Sequence, residues 1–204
     1  MTPIEHSEKL FIMKRLLLIL ILTLSFQSLA KADDISDFEI EGMSIGDSLL
    51  DFFSLSSIED NLISDYNDNE YSRVNLRLKK FNDFEIVQFH IKTKDKKYII
   101  QALSAGQFYD DINKCYSKMK IMDKEIQNVS PSVERRDYGI EKHPADLNST
   151  FKSIYYYFKS GDGFRLACFD WSKKMTKENN WKDHIKLSAF TNEITTWFEE
   201  KAYK

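Results

Sequence analysis

The sequence predicts an α+β domain, a mainly antiparallel sheet with helices packed on one face. Short segments in which apolar and polar residues alternate are typical of half-buried strands, and they occur in both halves of the chain. One longer segment repeats its apolar residues every three or four positions, which predicts an amphipathic helix. The connections are short, so neighbouring strands are expected to pair as antiparallel hairpins.

Length and composition exclude several classes of protein. The chain has 204 residues, enough for one domain or at most two small ones. Its 6 Gly and 3 Pro are too few for a collagen-like, linker-like or low-complexity chain. The net charge of -3 argues against a nucleic-acid partner, because proteins of that kind neutralise phosphates with basic residues.

Residues 1–32 have the three parts of a secretory signal peptide. Lys14 and Arg15 form a basic start, the run 16–22 is apolar, and an A-x-A site ends at Ala32. We therefore predict cleavage after Ala32 and a location in the periplasm or outside the cell. The bacterial character of the signal is supported by the large excess of Lys over Arg in the chain.

The mature chain is then one α+β domain at 33–204, and Met13 is an alternative translation start. An uncleaved inner-membrane anchor is the competing interpretation. It needs about 20 largely apolar residues, and the segment 16–29 is shorter than that. A lipoprotein would need a Cys at the cleavage point, but the first Cys is Cys115. No transmembrane segment is predicted after cleavage.

The only two cysteines, Cys115 and Cys168, are predicted to form a disulfide, because exported cysteines tend to be paired. Cys115 belongs to the apolar stripe of the predicted helix 107–127, and Cys168 shares a strand face with Leu166. The stripe consists of Phe108, Ile112, Cys115, Met119, Met122 and Ile126. The alternative is a reactive thiol, but the C-x-x-C spacing of redox pairs is absent.

The first half of the domain is predicted to begin with two short helices, capped at Ser44 and Ser56. A polar loop follows at 64–70. Alternating apolar residues then predict three strands, at 71–78, 84–91 and 98–103, and the long helix at 107–127.

The second half is predicted to contain a loop at 128–150, with a short strand near Tyr138. Strands are expected at 151–158, 164–171 and 185–189, the first two joined by a hairpin turn at 160–163. A polar loop is expected at 171–181, and Thr191 is predicted to cap a terminal helix.

The sequence contains no recognisable catalytic or metal-binding motif, and we predict no metal and no cofactor. His90, His143 and His184 have no metal-ligand spacing, so each is interpreted as an ordinary polar residue. The acidic loop at 65–70 begins like a calcium loop, but Glu70 replaces the required Gly and Leu76 replaces the final Glu.

Aromatic residues are concentrated in the predicted strand at 155–158, Tyr-Tyr-Tyr-Phe. Successive strand residues point to opposite faces, so both faces of this strand are aromatic. Tyr155 and Tyr157 are therefore the candidate ligand-binding residues, on a face that would take a sugar, a peptide or a lipid. The alternative is a central strand whose aromatic side chains pack under helices.

The segment Ile-Glu-Gly-Met-Ser-Ile-Gly-Asp-Ser-Leu-Leu at 40–50 resembles the opening of the small outer-membrane assembly lipoproteins of the SmpA/OmlA group. The resemblance implies a short helix at the head of an α+β domain. As a whole, the chain resembles exported bacterial proteins that have no assigned activity.

These observations favour a non-catalytic binding or interaction module of the cell envelope. The expected partner is a protein, a peptide or a small molecule, and a nucleic acid is not expected. Two alternatives stay open: a secreted hydrolase whose site is not encoded by a motif, and a membrane-tethered accessory protein.

Overall fold

A computed structural model describes residues 34–76 and 84–204, and all of them belong to one compact unit. The predicted signal peptide at 1–32 lies outside the described residues, as does the end of the strand predicted at 71–78.

The described residues form eight strands and four α-helices. The strands are β1 (Leu62–Ile63), β2 (Tyr71–Leu76), β3 (Ile86–Lys92), β4 (Ile100–Phe108), β5 (Glu134–His143), β6 (Asp146–Tyr157), β7 (Gly163–Asp170) and β8 (His184–Phe190). The helices are α1 (Leu55–Asp60), α2 (Ile112–Val129), α3 (Lys173–Asn179) and α4 (Asn192–Glu200). Two 3-10 turns, Ile35–Asp37 and Leu49–Asp51, precede α1.

All eight strands belong to one sheet, with the order β1-β2-β3-β4-β8-β7-β6-β5. Every neighbouring pair is antiparallel. Two meanders, β1 to β4 and β5 to β8, therefore meet where β4 pairs with β8. This arrangement confirms the predicted α+β class with an antiparallel sheet.

The main core lies between α2 and one face of the sheet. Four residues of the predicted helical stripe, Cys115, Met119, Met122 and Ile126, are buried as expected. The helix begins at Ile112 and not at 107, because the predicted first turn, including Phe108, continues strand β4. The four buried residues pack with apolar side chains of the sheet such as Leu103, Leu166 and Leu187. Because strand residues alternate between faces, the residues between these positions point to the opposite face.

The predicted disulfide is confirmed. Cys115 of α2 is bonded to Cys168 of β7, with the two Cα atoms 6.0 Å apart. A polar contact accompanies it at the same interface, because Asp123 of α2 accepts hydrogen bonds from Tyr156 Oη (2.6 Å) and Arg135 Nε (2.8 Å).

A smaller apolar layer lies on the opposite face of the sheet, at one end. There Ile194 and Trp197 of α4 pack on Tyr71 of β2 and Ala102 of β4. Thr191 caps this helix as predicted, accepting a hydrogen bond from the backbone N–H of Ile194. Thus α2 covers the main face, and α4 adds partial cover to the other.

Several element predictions were wrong in detail. The helix predicted after Ser44 is only the 3-10 turn Leu49–Asp51, and α1 is capped by Ser54, not Ser56. The short strand predicted near Tyr138 is the ten-residue strand β5, and β6 begins at Asp146, so little of the predicted loop at 128–150 is irregular. The predicted polar loop at 171–181 contains α3, which buries Met175.

Candidate functional site

The face of the sheet opposite α2 carries several basic side chains, among them Arg165 of β7 and Lys186 of β8. We call it the cationic face. Register also places Arg136 of β5 and Arg73 of β2 on this face, but each of these two is paired with a carboxylate, Glu134 and Asp65 respectively. Strand register places its residues in rows that cross the sheet, because directly paired residues share a face. One row contains, in order across six strands, Tyr155, Arg165, Ser188, Ser104, Gln88 and Asn75.

Arg165 lies among aromatic rings. Its guanidinium carbon is 5.2 Å from the ring centroids of both Phe151 and Tyr155, and 5.6 Å from that of Phe169. The Nε atom is buried and has no hydrogen-bond partner in the described part of the chain. Cation–π contact stabilises the charge in part, but it leaves this donor unused.

Lys186 occupies the next row, between Ala167 and Gly106. These small neighbours leave room around its half-buried side chain. Burial lowers the pKa of Lys186 to about 8, and the positive charges of Arg165 and Arg73 act in the same direction. Of the carboxylates in the described ranges, none lies within ion-pair distance of Lys186 or Arg165.

A cavity of about 540 Å³ adjoins Lys186. The cavity is lined by Asn75, Gln88 and Ser104, which belong to the row of Arg165, and by His184. The amide and hydroxyl groups supply both donors and acceptors. The volume is in the range of roughly 300–1,000 Å³ that is usual for small-molecule sites.

The structure places Tyr155 and Tyr157, the predicted ligand-binding residues, together on the cationic face. Their rings are nearly parallel, with centroids 5.7 Å apart. Tyr156 points the other way, into the core, where it binds Asp123. Burial raises the pKa of Tyr155, although the charge of Arg165 acts against this. Its phenol therefore stays neutral and can donate a hydrogen bond.

A second aromatic row borders the site. Phe151, Phe169, His184 and Phe108 follow one another across β6, β7, β8 and β4. Phe169 and His184 are stacked at 4.7 Å. Burial lowers the pKa of His184, and the charge of Lys186 acts in the same direction, so the neutral ring is favoured.

His90 and His143 do not line the cavity, although the charge of Lys186 acts on His90 and that of Arg165 acts on His143. His90 is buried beneath α4, and its Nε2 atom is 2.8 Å from the hydroxyl of Tyr66. Burial lowers its pKa to about 3. His143 packs against Trp171, with ring centroids 4.5 Å apart.

Within residues 34–76 and 84–204, no group of three or more His, Cys, Asp or Glu side chains is placed to hold a metal ion. Across those same ranges, none of the helices has the length and apolar character needed to cross a membrane.

Sequence reasoning placed Tyr155 and Tyr157 on one face of a strand and did not single out Arg165 or Lys186. One signal was available, because both basic residues alternate with buried apolar residues of their strands, as Lys186 does between Ile185 and Leu187. This pattern places each basic residue on the face opposite the buried core, which is the cationic face. The pattern does not show that β7 and β8 are neighbours. The proximity of Arg165 to Lys186 could therefore not be predicted from it.

Comparisons with protein family models, with curated proteins and with solved structures find no match to this chain. The resemblance of residues 40–50 to the SmpA/OmlA group stays a prediction.

Proposed function

We propose that this chain is an exported, non-catalytic binding protein whose cationic face takes a small anionic ligand with a planar or ring-shaped part. The observation that carries the proposal is the pair of half-buried basic side chains, Arg165 and Lys186, which lack a carboxylate partner among the described residues.

The energetic argument concerns desolvation. A charge that loses water without gaining a counter-ion is unfavourable, and in most proteins such a group is paired. Here an anion would supply the missing charge for both groups and an acceptor for the buried Nε of Arg165. A hydrogen bond to a charged group contributes about 1.5–3 kcal/mol.

The surroundings of the two charges define the shape of the ligand. The ring of Tyr155 offers a flat apolar surface beside Arg165. The cavity on the other side of Lys186 offers the amides of Asn75 and Gln88. A ligand with an acidic group, a ring and a polar body would use all three.

Two observations support export to the periplasm. The segment 1–32 has the parts of a signal peptide. The disulfide between Cys115 and Cys168 is typical of oxidising compartments. On this proposal, cleavage follows Ala32 and the ligand is a molecule of the cell envelope.

Calorimetric titration with a matched pair of probes tests the proposal. Naphthalene sulfonate carries the ring and the anion, and naphthalene sulfonamide carries the ring without the charge. We expect the sulfonate to bind at least about ten-fold more tightly, as a single charge-assisted hydrogen bond would provide. Equal affinity for the two probes would contradict the proposal.

Three variants locate the binding. Arg165→Gln and Lys186→Gln should each reduce the preference for the sulfonate. Lys159→Gln, in the exposed turn between β6 and β7, removes the same charge and should leave the preference unchanged. Melting curves of all three identify any variant that has lost its fold, and Lys186→Gln keeps the test valid if Arg165→Gln unfolds.

A further inference from the structure

A second feature lies outside the proposed ligand site, at the segment 171–182. It contains Trp171 and Trp181 together with four lysines, Lys173, Lys174, Lys177 and Lys182. We call these six residues the lysine–tryptophan patch. The segment has one acid, Glu178, in a chain whose net charge is -3.

The four lysines are exposed, and in the part of the chain that the structure describes none has a carboxylate within ion-pair distance. Three of them, Lys173, Lys177 and Lys182, line a recess of about 450 Å³ with Trp171. Two acids, Asp110 and Asp183, also line it. Burial raises the pKa of Asp183, whereas the hydrogen bond that its Oδ1 accepts from the backbone N–H of Trp171 acts in the opposite direction.

Trp171 is the inner of the two tryptophans, and Trp181 packs on it at the surface. Trp171 is stacked on Phe169, with ring centroids 5.9 Å apart. Trp181 packs on Trp171 at 4.5 Å and remains 38% exposed. An exposed indole beside unpaired lysines is the combination found at membrane surfaces, where Trp lies at headgroup depth and Lys attracts anionic lipid.

We propose that the lysine–tryptophan patch docks this protein on an anionic bilayer surface. The exposed lysines contact lipid phosphates, and Trp181 inserts between headgroups. The proposal uses none of Arg165, Lys186 and Tyr155, so it can fail or hold independently of the proposed ligand site.

Tryptophan fluorescence quenching tests docking in the full chain. All three tryptophans lie at 171–197, and Trp197 is buried. Quenching by brominated acyl chains therefore reports contact at the patch, whatever the apolar run 16–22 does. Vesicles of brominated phosphatidylglycerol should quench the emission strongly and shift it to the blue. Vesicles of brominated phosphatidylcholine should do neither, and added salt should weaken the effect.

A matched pair of charge reversals provides the control. The variant K173E/K174E/K177E should bind phosphatidylglycerol vesicles at least ten-fold more weakly. The variant K94E/K96E/K97E reverses three exposed lysines in the β3–β4 turn and should stay within two-fold of the unchanged protein. Trp181→Phe should bind with most of the blue shift lost.

Three results would overturn the proposal. They are unquenched emission on phosphatidylglycerol, equal losses in the two triple variants, and complete competition by millimolar glycerol phosphate. The last would identify the patch as a site for a soluble phosphate. Near-native melting of K173E/K174E/K177E ensures that lost quenching reflects lost docking.

Discussion

Lys186 lowers the stability of the free protein, and on the proposed function the same charge binds the anionic ligand. Its ammonium is half-buried, and the guanidinium groups of Arg165 and Arg73 add repulsion. His184 lies two residues away on the same face, and it is neutral because burial lowers its pKa. The folded state therefore disfavours the charged lysine, whereas the unfolded chain hydrates it fully.

Replacement of Lys186 by Met should stabilise the free protein at pH 7, by about 1–2 kcal/mol after allowance for solvent screening. At pH 7 the lysine is protonated in both states, and the penalty is fully present. Above its folded pKa of about 8 the native lysine loses its proton while the unfolded one retains it. Wild-type stability therefore rises with pH from about 8 towards 10.5, and the advantage of Lys186→Met shrinks.

Thermal melts of the two proteins between pH 7 and pH 10 measure this difference. Lys159→Met, at an exposed lysine, is the control and should show no advantage at any pH. The account of Lys186 fails if Lys186→Met melts below wild type at pH 7, or if the difference does not depend on pH.

At the scale of elements, strands with one buried face could be predicted from the sequence. In β8 the buried residues Ile185, Leu187 and Ala189 alternate with half-buried ones, and the predicted strand matches the observed one closely. The helix α2 was likewise evident from a stripe in which Cys115, Met119, Met122 and Ile126 are buried. In both cases the apolar residues recur along the sequence with the period at which side chains are buried.

The elements that were missed or predicted too short bury few of their own side chains. Strand β5 is an edge strand with charged residues at Glu134, Arg135, Arg136 and Asp137, and almost all of it is exposed. Its extended conformation comes from pairing with β6, a partner that local sequence does not reveal. Helix α3 buries Met175 and little else, so it has no apolar stripe to detect.

The candidate site likewise has a part that local sequence predicts and a part that depends on strand pairing. Tyr155 and Tyr157 could be placed on one face because they are two positions apart in a single strand. The proximity of Arg165 to Lys186 depends on the pairing of β7 with β8. Strand order is a property of the whole sheet, and no local pattern in this chain encodes it.

The disulfide acts at the scale of the whole molecule. It joins α2 to β7, across a sequence separation of 53 residues, and so fixes the only long helix of the described residues to the sheet. In the chain-entropy account, a crosslink of this length stabilises by roughly 4 kcal/mol at most. The apolar core between α2 and the sheet also holds the helix in place.

Reduction should therefore lower the melting temperature without unfolding the protein at room temperature. Cys115→Ser and the double variant Cys115→Ser/Cys168→Ser should be destabilised by about the same amount, because either change removes the same bond. Circular dichroism melts with and without reductant check this, and reductant should leave the double variant unchanged. A reduced protein that melts like the oxidised one would disprove the stabilising role.

The central claim is that the cationic face binds an anion through Arg165. Nuclear magnetic resonance titration of the ¹⁵N-labelled protein with naphthalene sulfonate tests it most directly. Arg135 is an internal control, because its guanidinium is already bound to Asp123 on the other face. We predict that the Nε–H resonance of Arg165 shifts saturably, together with the ring resonances of Tyr155, while that of Arg135 stays in place. A saturable titration in which the Arg165 resonance does not move, or moves no more than that of Arg135, would contradict the account.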